Sequence, residues 1–192
     1  MKAILPHTNQ PRIVIIGGGF GGITLAKALK GQPYQVVMLD RNNYHTFQPL
    51  LYQVATGGLE PDSIAFPLRK MFAKQDNFVF RMAEVESVDP ALNTLYTNIG
   101  AITYDYLVVA TGSQTNFFGN ESVAEHAMGM KNIPESLNLR SLILQNFEEA
   151  HYQAEVGSRN FLKKFVVVGG GPTGVETAGA LAELKRHVLP AD

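Results

Sequence analysis

Apolar residues along this chain come in short continuous runs that alternate with helical spacings, and that order predicts a mixed α/β chain. Ile13–Ile16, Gln35–Leu39 and Phe165–Val168 are runs of strand length. The first and last each enter a glycine cluster and then an alanine-rich helical stretch. Phe78–Val88, Thr94–Thr97 and Ala101–Val109 carry alternating or continuous apolar residues, with Asp89, Pro90, Asn98 and Gly100 marking turns between them. Pro61–Lys74 predicts a helix with Ile64, Leu68, Met71 and Phe72 on one face, interrupted early by Pro67. Asn132 predicts an N-cap with Ile133 and Pro134 in the first turn of a helix running to Glu155. Gly157–Lys164 reads as a linker. Residues 41–58 read as a long irregular stretch, too rich in aromatic and aliphatic residues for disorder. It lines a ligand or forms a buried Ω-like connection.

The two glycine clusters have one design. Gly17, Gly18, Gly19, Phe20, Gly21, Gly22 and Gly169, Gly170, Gly171, Pro172, Thr173, Gly174 each fit GxGxxG between a predicted strand and helix. Gly17 and Gly169 permit the tight turn, Gly19 and Gly171 admit a pyrophosphate close to backbone N–H groups, and Gly22 and Gly174 let helix and strand approach. Unpaired amides and the positive end of the helix dipole then favour an anion. In register, Ala26, Ala28 and Leu29 fall over Ala178, Ala180 and Leu181, the face expected to meet a sheet. The repeat therefore predicts two related dinucleotide-binding domains, and electrons passing between two cofactors. Asp40 ends the second strand about 20 residues past the first turn, where a carboxylate accepts from a ribose hydroxyl. A solvated turn residue is the competing reading. Ala110, Thr111, Gly112 and Ser113 close another strand with small residues, either for close approach to a ligand or as a simple turn.

Composition removes several classes of function. Lys and Arg number 16, Asp and Glu 17, and the net charge of −1 leaves no electrostatic footprint for nucleic acid or anionic lipid. No apolar run reaches the about 18 residues of a membrane span, and Met1–Pro11 is too polar for a secretory signal, so a cytoplasmic polypeptide is expected. There is no cysteine, which excludes a redox disulfide, thiol attack on sulfide and thiolate-bound clusters within these residues. His7, His45, His126, His151 and His187 show no metal-ligand spacing and read as ordinary surface or loop histidines. No metal is expected.

IVIIGGGFGG at 13–22, HTFQPLLYQVATGGL at 45–59, DYLVVATGS at 105–113 and VVVGGGPTGVETAGALAEL at 166–184 resemble the N-terminal part of the type II NADH dehydrogenases, single-subunit NADH:quinone oxidoreductases. The first, third and fourth blocks are shared with the wider two-dinucleotide flavoprotein superfamily, and the second is the specific one. The resemblance implies a Rossmann-like FAD-binding domain over 1–156, with a parallel sheet and a small antiparallel β-meander, a linker at 157–164, and the first βα unit of an NADH-binding domain at 165–192. It implies that Gly17, Gly19, Phe20, Gly21 and Gly22 hold the FAD pyrophosphate. Asp40 takes the ribose, Arg41 and Val85 the adenine, Pro49 and Leu50 the isoalloxazine, and Thr111 and Gly112 close over the cofactor. Gly169, Gly171, Pro172, Thr173 and Gly174 face NADH. Glu176 is similar to a glutamate near the flavin N5 and the nicotinamide, although Thr173 with Glu176 is equally a capping box.

Members of the family are about twice as long, peripheral to the cytoplasmic face of the inner membrane and homodimeric, with a quinone as electron acceptor. Residues 165–192 supply one strand and one helix of a domain that needs a whole sheet. The chain alone is accordingly expected to be catalytically incompetent and to associate through its C-terminal unit. Two other functions fit the glycine turns: a ferredoxin- or rubredoxin-reductase-like flavoprotein, and a non-catalytic nucleotide-binding fragment.

Overall fold

In the computed structural model, which describes residues 3–153 and 155–187, the chain forms two compact units. One contains residues up to Thr46 together with Ala65–Ser113, and the other contains Phe47–Ile64 together with residues from Gln114 onward.

The first unit begins with β1 (Arg12–Ile16), α1 (Phe20–Ala28), β2 (Gln35–Asp40) and β3 (Tyr44–Thr46). The chain makes a 3-10 turn at Gln48–Leu50, α2 (Leu51–Ala55) and a second 3-10 turn at Pro61–Ser63 in the other unit. It re-enters as β4 (Ala65–Pro67), α3 (Leu68–Met71), β5 (Phe78–Met82), β6 (Val85–Asp89), β7 (Thr94–Thr97), β8 (Gly100–Thr103) and β9 (Tyr106–Val109). The main sheet has the order β5-β2-β1-β9, all parallel. β6-β7-β8 form an antiparallel meander, and β3 pairs antiparallel with β4. The expected parallel sheet and small meander are both present.

The continuous apolar runs become the central strands because both faces of the sheet are covered. Ile13, Ile15, Val36 and Met38 face Ile23 and Ala26 of α1 with Leu68, Phe72 and Phe80. Val14, Val37 and Leu39 face Ala83, Leu95 and Ile102 from the meander side. A β-branched or aliphatic side chain buried in this way contributes about 1.5–3 kcal/mol, so β1 and β2 anchor the unit.

Several sequence expectations are corrected. Phe78–Val88 is not one strand: the chain turns at Ala83 and Glu84, giving β5 to the parallel sheet and β6 to the meander. Ala101–Val109 splits likewise into β8 and β9 around Tyr104 and Asp105, where the Asp105 carboxylate accepts from Arg12 N–H at 2.6 Å. Pro61–Lys74 is not a continuous helix. Pro67 cannot donate and disfavours helical geometry in Phe66, so Ala65–Pro67 pairs with β3 and the helix starts only at Leu68. Residues 41–58 are more ordered than an irregular loop and contain β3, a 3-10 turn and α2.

The second unit contains α2, α4 (Glu121–His126), α5 (Ile133–Tyr152), α6 (Val156–Leu162) and α7 (Pro172–His187). The cap on α5 is as expected: Asn132 Oδ1 accepts from Glu135 N–H at 2.9 Å, and the Glu135 carboxylate accepts from Asn132 Nδ2 and from Lys131 N–H. α2 packs on α5 and α7, burying Leu51, Val54 and Ala55. The stretch read as a linker carries α6. The expected strand Phe165–Val168 is not paired with any strand among the described residues, and Val166 is 87 % exposed. Ala26 meets the sheet as expected, whereas Ala28 and Ala178 are exposed. No helix among the described residues is long and apolar enough to cross a membrane.

Candidate functional site

β1 sits between β2 and β9 in the parallel sheet, and the region beyond the carboxyl ends of such strands is the usual place for a ligand. Gly17 to Gly22 lie there. Gly17 has φ 107°, its N–H donates to Leu39 O at 2.8 Å, and a Cβ would overlap the carbonyl oxygen of Ala110. A Cβ on Gly22 would overlap the Gly17 carbonyl oxygen, so the start of α1 lies directly on its own turn. In front of Gly19 and Gly21 there is no atom within 4 Å of where a Cβ would stand. The turn is therefore closed at its ends and open at its middle. That is the shape an anion seated on backbone N–H groups needs.

Neighbouring strand ends bring other predicted residues beside the turn. Asp40, the last residue of β2, accepts Gly18 N–H on Oδ2 at 2.6 Å and Asn42 N–H on Oδ1 at 2.7 Å. Its carboxylate thus braces the glycine turn, and two oxygens leave further lone pairs for a sugar hydroxyl. Ala83 N–H donates to Asp40 O, and Arg41 and Glu84 approach to 4.0 Å, while Val85 follows as the first residue of β6, opposite Thr97. Ala110 N–H donates to Ile16 O at 2.8 Å, so Thr111 and Gly112, the latter at φ 73°, follow directly past Gly17. Pro49 and Leu50 belong to the second unit.

His45 corrects the reading of the histidines as surface groups. It is 7 % exposed, and its Nδ1 lies 3.0 Å from Gly18 O. The Phe20 ring meets it edge-on with centroids 4.9 Å apart. Sequence periodicity could not find it, because a three-residue strand gives no pattern.

The second turn repeats the first locally. Gly169 has φ 117°, and a Cβ on Gly174 would overlap the Gly169 carbonyl oxygen. Val175 N–H donates to Gly171 O at 3.1 Å, as Ile23 N–H does to Gly19 O at 3.0 Å. Thr173 and Glu176 do not form the expected capping box. Pro172, with φ already fixed for a helix, opens α7 and puts Thr173 inside its first turn, and both side chains are exposed.

Residues 11–190 match the sequence pattern of the pyridine nucleotide-disulphide oxidoreductases. The chain belongs to that family. Among relatives of this pyridine nucleotide-disulphide oxidoreductase chain, the type II NADH:quinone oxidoreductase Ndh of Mycobacterium tuberculosis is 44 % identical over 190 residues, covering 95 % of this chain and 41 % of the relative. The external alternative NAD(P)H-ubiquinone oxidoreductase B3 of Arabidopsis thaliana mitochondria is 34 % identical over 195 residues, 95 % of this chain and 34 % of the relative. Among solved structures, NDH2 of Plasmodium falciparum in complex with NADH superposes with a TM-score of 0.80 at 28 % identity over 91 % of this chain and 37 % of that one. This chain therefore spans less than half the length of the curated relatives it matches.

Proposed function

We propose that this chain is the FAD-holding part of a type II NADH:quinone oxidoreductase. The observation that carries the reading is the glycine turn at Gly17–Gly22, closed at its ends, open at Gly19 and lying beyond the carboxyl end of β1, in a chain 44 % identical to a protein named for that activity. The turn leaves room for a phosphate, since the space in front of Gly19 is open.

In this reading Gly17, Gly19, Phe20, Gly21 and Gly22 hold the diphosphate through backbone amides. Asp40 takes the ribose, Arg41 and Val85 border the adenine, Pro49 and Leu50 border the isoalloxazine, and Thr111 and Gly112 close the strand end over it. Gly169, Gly171, Pro172, Thr173 and Gly174 face NADH, with Glu176 towards the nicotinamide. Residues 1–156 form the FAD-binding part, 157–164 the connection and 165–192 the start of the NADH-binding part. FAD held there would supply the redox chemistry that links NADH to a quinone. The residues of this chain supply position and exclusion of water, and no nucleophile is required of them. The whole protein works at the cytoplasmic face of the inner membrane as a peripheral homodimer.

The test has two stages. FAD added to this chain should lose fluorescence on binding and remain through gel filtration. Then, in a protein spanning the full length of its relatives, NADH should bleach the flavin and a soluble quinone should restore it. Recovery only with an oxidised ferredoxin or rubredoxin as electron acceptor, and none with quinone, would assign a ferredoxin- or rubredoxin-reductase-like function. Absence of FAD binding by either protein would end the proposal.

A further inference from the structure

The backbone around Gly18 is gripped from two sides, and the grip decides which way the next amide faces. Gly18 N–H donates to Asp40 Oδ2 at 2.6 Å, and Gly18 O lies 3.0 Å from His45 Nδ1. A carbonyl oxygen only accepts, so Nδ1 carries the proton and donates. In a trans peptide the carbonyl and the following N–H point to opposite sides. Drawing the Gly18 carbonyl towards His45 therefore turns Gly19 N–H to the side of the peptide away from His45, and Gly19 itself stands in open space, with no neighbouring atom where a Cβ would be. Two flanking glycines give this peptide little steric resistance to rotation, so the hydrogen bond has to supply the restraint. The imidazole is itself held. It is buried on β3 opposite Phe66, with the Phe20 ring meeting it edge-on at an interplanar angle of 82°.

We infer that His45 is a positioning residue for the diphosphate: by holding the Gly18 carbonyl it keeps the Gly19 amide aimed at the phosphate. This rests on the reading of Gly17–Gly22 as the FAD cradle. It gives the apolar block that begins at His45 a task at the pyrophosphate, a part of the cofactor to which neither its sequence position nor its composition pointed.

The experiment measures FAD affinity of this chain by flavin fluorescence, and the diphosphate resonances of bound FAD by phosphorus NMR, for the parent, His45→Leu and His45→Asn. Leu keeps apolar bulk without a donor, whereas Asn offers an N–H close to the place of Nδ1. The expected result is roughly tenfold weaker binding with displaced phosphate resonances for His45→Leu, and affinity within about threefold of the parent with parental resonances for His45→Asn. If His45→Leu does not fold, His45→Gln replaces it, since Gln carries its amide one methylene too far and should show the same weakening and displacement. Equal losses in the Asn variant and its comparison variant would mean that His45 only fills space, and would overturn the inference. A parent that binds FAD with a Leu variant of unchanged affinity overturns the inference alone. A parent that does not bind FAD removes the cradle and this role with it.

Discussion

At Gly17 the backbone sits at φ 107° and at Gly169 at φ 117°, and in each turn the last glycine lies against the carbonyl of the first. The surroundings differ. Gly17 is tied to Leu39 of β2 and pressed against Ala110 beyond β9, and the strand leading into it holds Val14 and Ile15 with no exposed surface. Gly169 has no atom within 4 Å of where its Cβ would stand, and it follows a stretch in which Val166 and Val168 are 87 % and 67 % exposed. The shape of the glycine turn is thus local, written in six residues. Its rigidity is not local, and comes from strands on either side.

The sharpest way to break this comparison is to place the same side chain at both first glycines. Gly17→Val adds positive-φ strain and collides with the Ala110 carbonyl, and should cost several kcal/mol, about 3 or more, in urea unfolding. Gly169→Val carries only the backbone strain, about 1–2 kcal/mol, confined to the second turn. Equal losses would show that the two environments are alike. Next in size, Val14→Thr buries a hydroxyl in a site with no exposure and should cost about 1–3 kcal/mol. Val166→Thr should stay within about 0.5 kcal/mol. A larger effect at Val166 would mean that the stretch is paired in solution, which hydrogen exchange of the 165–168 amides would also reveal as slow exchange.

Asp40→Asn replaces a carboxylate that braces two amides and should cost about 1–2 kcal/mol by the same unfolding assay. The smallest change is expected from Arg41→Ala. Its contact with Glu84 is at 4.0 Å between largely exposed side chains, so the melting temperature should not move measurably. A clear drop there would mean that the loop after β2 is held more firmly than its exposure implies.

Much of the candidate site was legible because its residues obey short-range rules. The glycines announce themselves by the turn they permit, Asp40 by its distance from that turn, and Asn132 by the helix it caps. His45 was not legible, since what makes it matter is a carbonyl far away in the sequence, brought within 3.0 Å only when β3 and β4 pair beside the turn. Nor could apolar alternation say where Phe78–Val88 and Ala101–Val109 would divide between two sheets. A run of strand-forming residues specifies an extended backbone and leaves open which neighbour it finds.

The sequence by itself determined the two turns, the runs that become β1 and β2, the cap of α5 and the exclusion of thiol chemistry, because each of these depends on backbone sterics within a few residues or on residue types that are present or missing. The tertiary structure alone decided that one turn is braced by Asp40 and His45 in a parallel sheet while the stretch before the other is paired with no strand among the described residues. The physical reason is that strand pairing and burial are settled between distant segments, through hydrogen bonds and excluded water that no local pattern encodes.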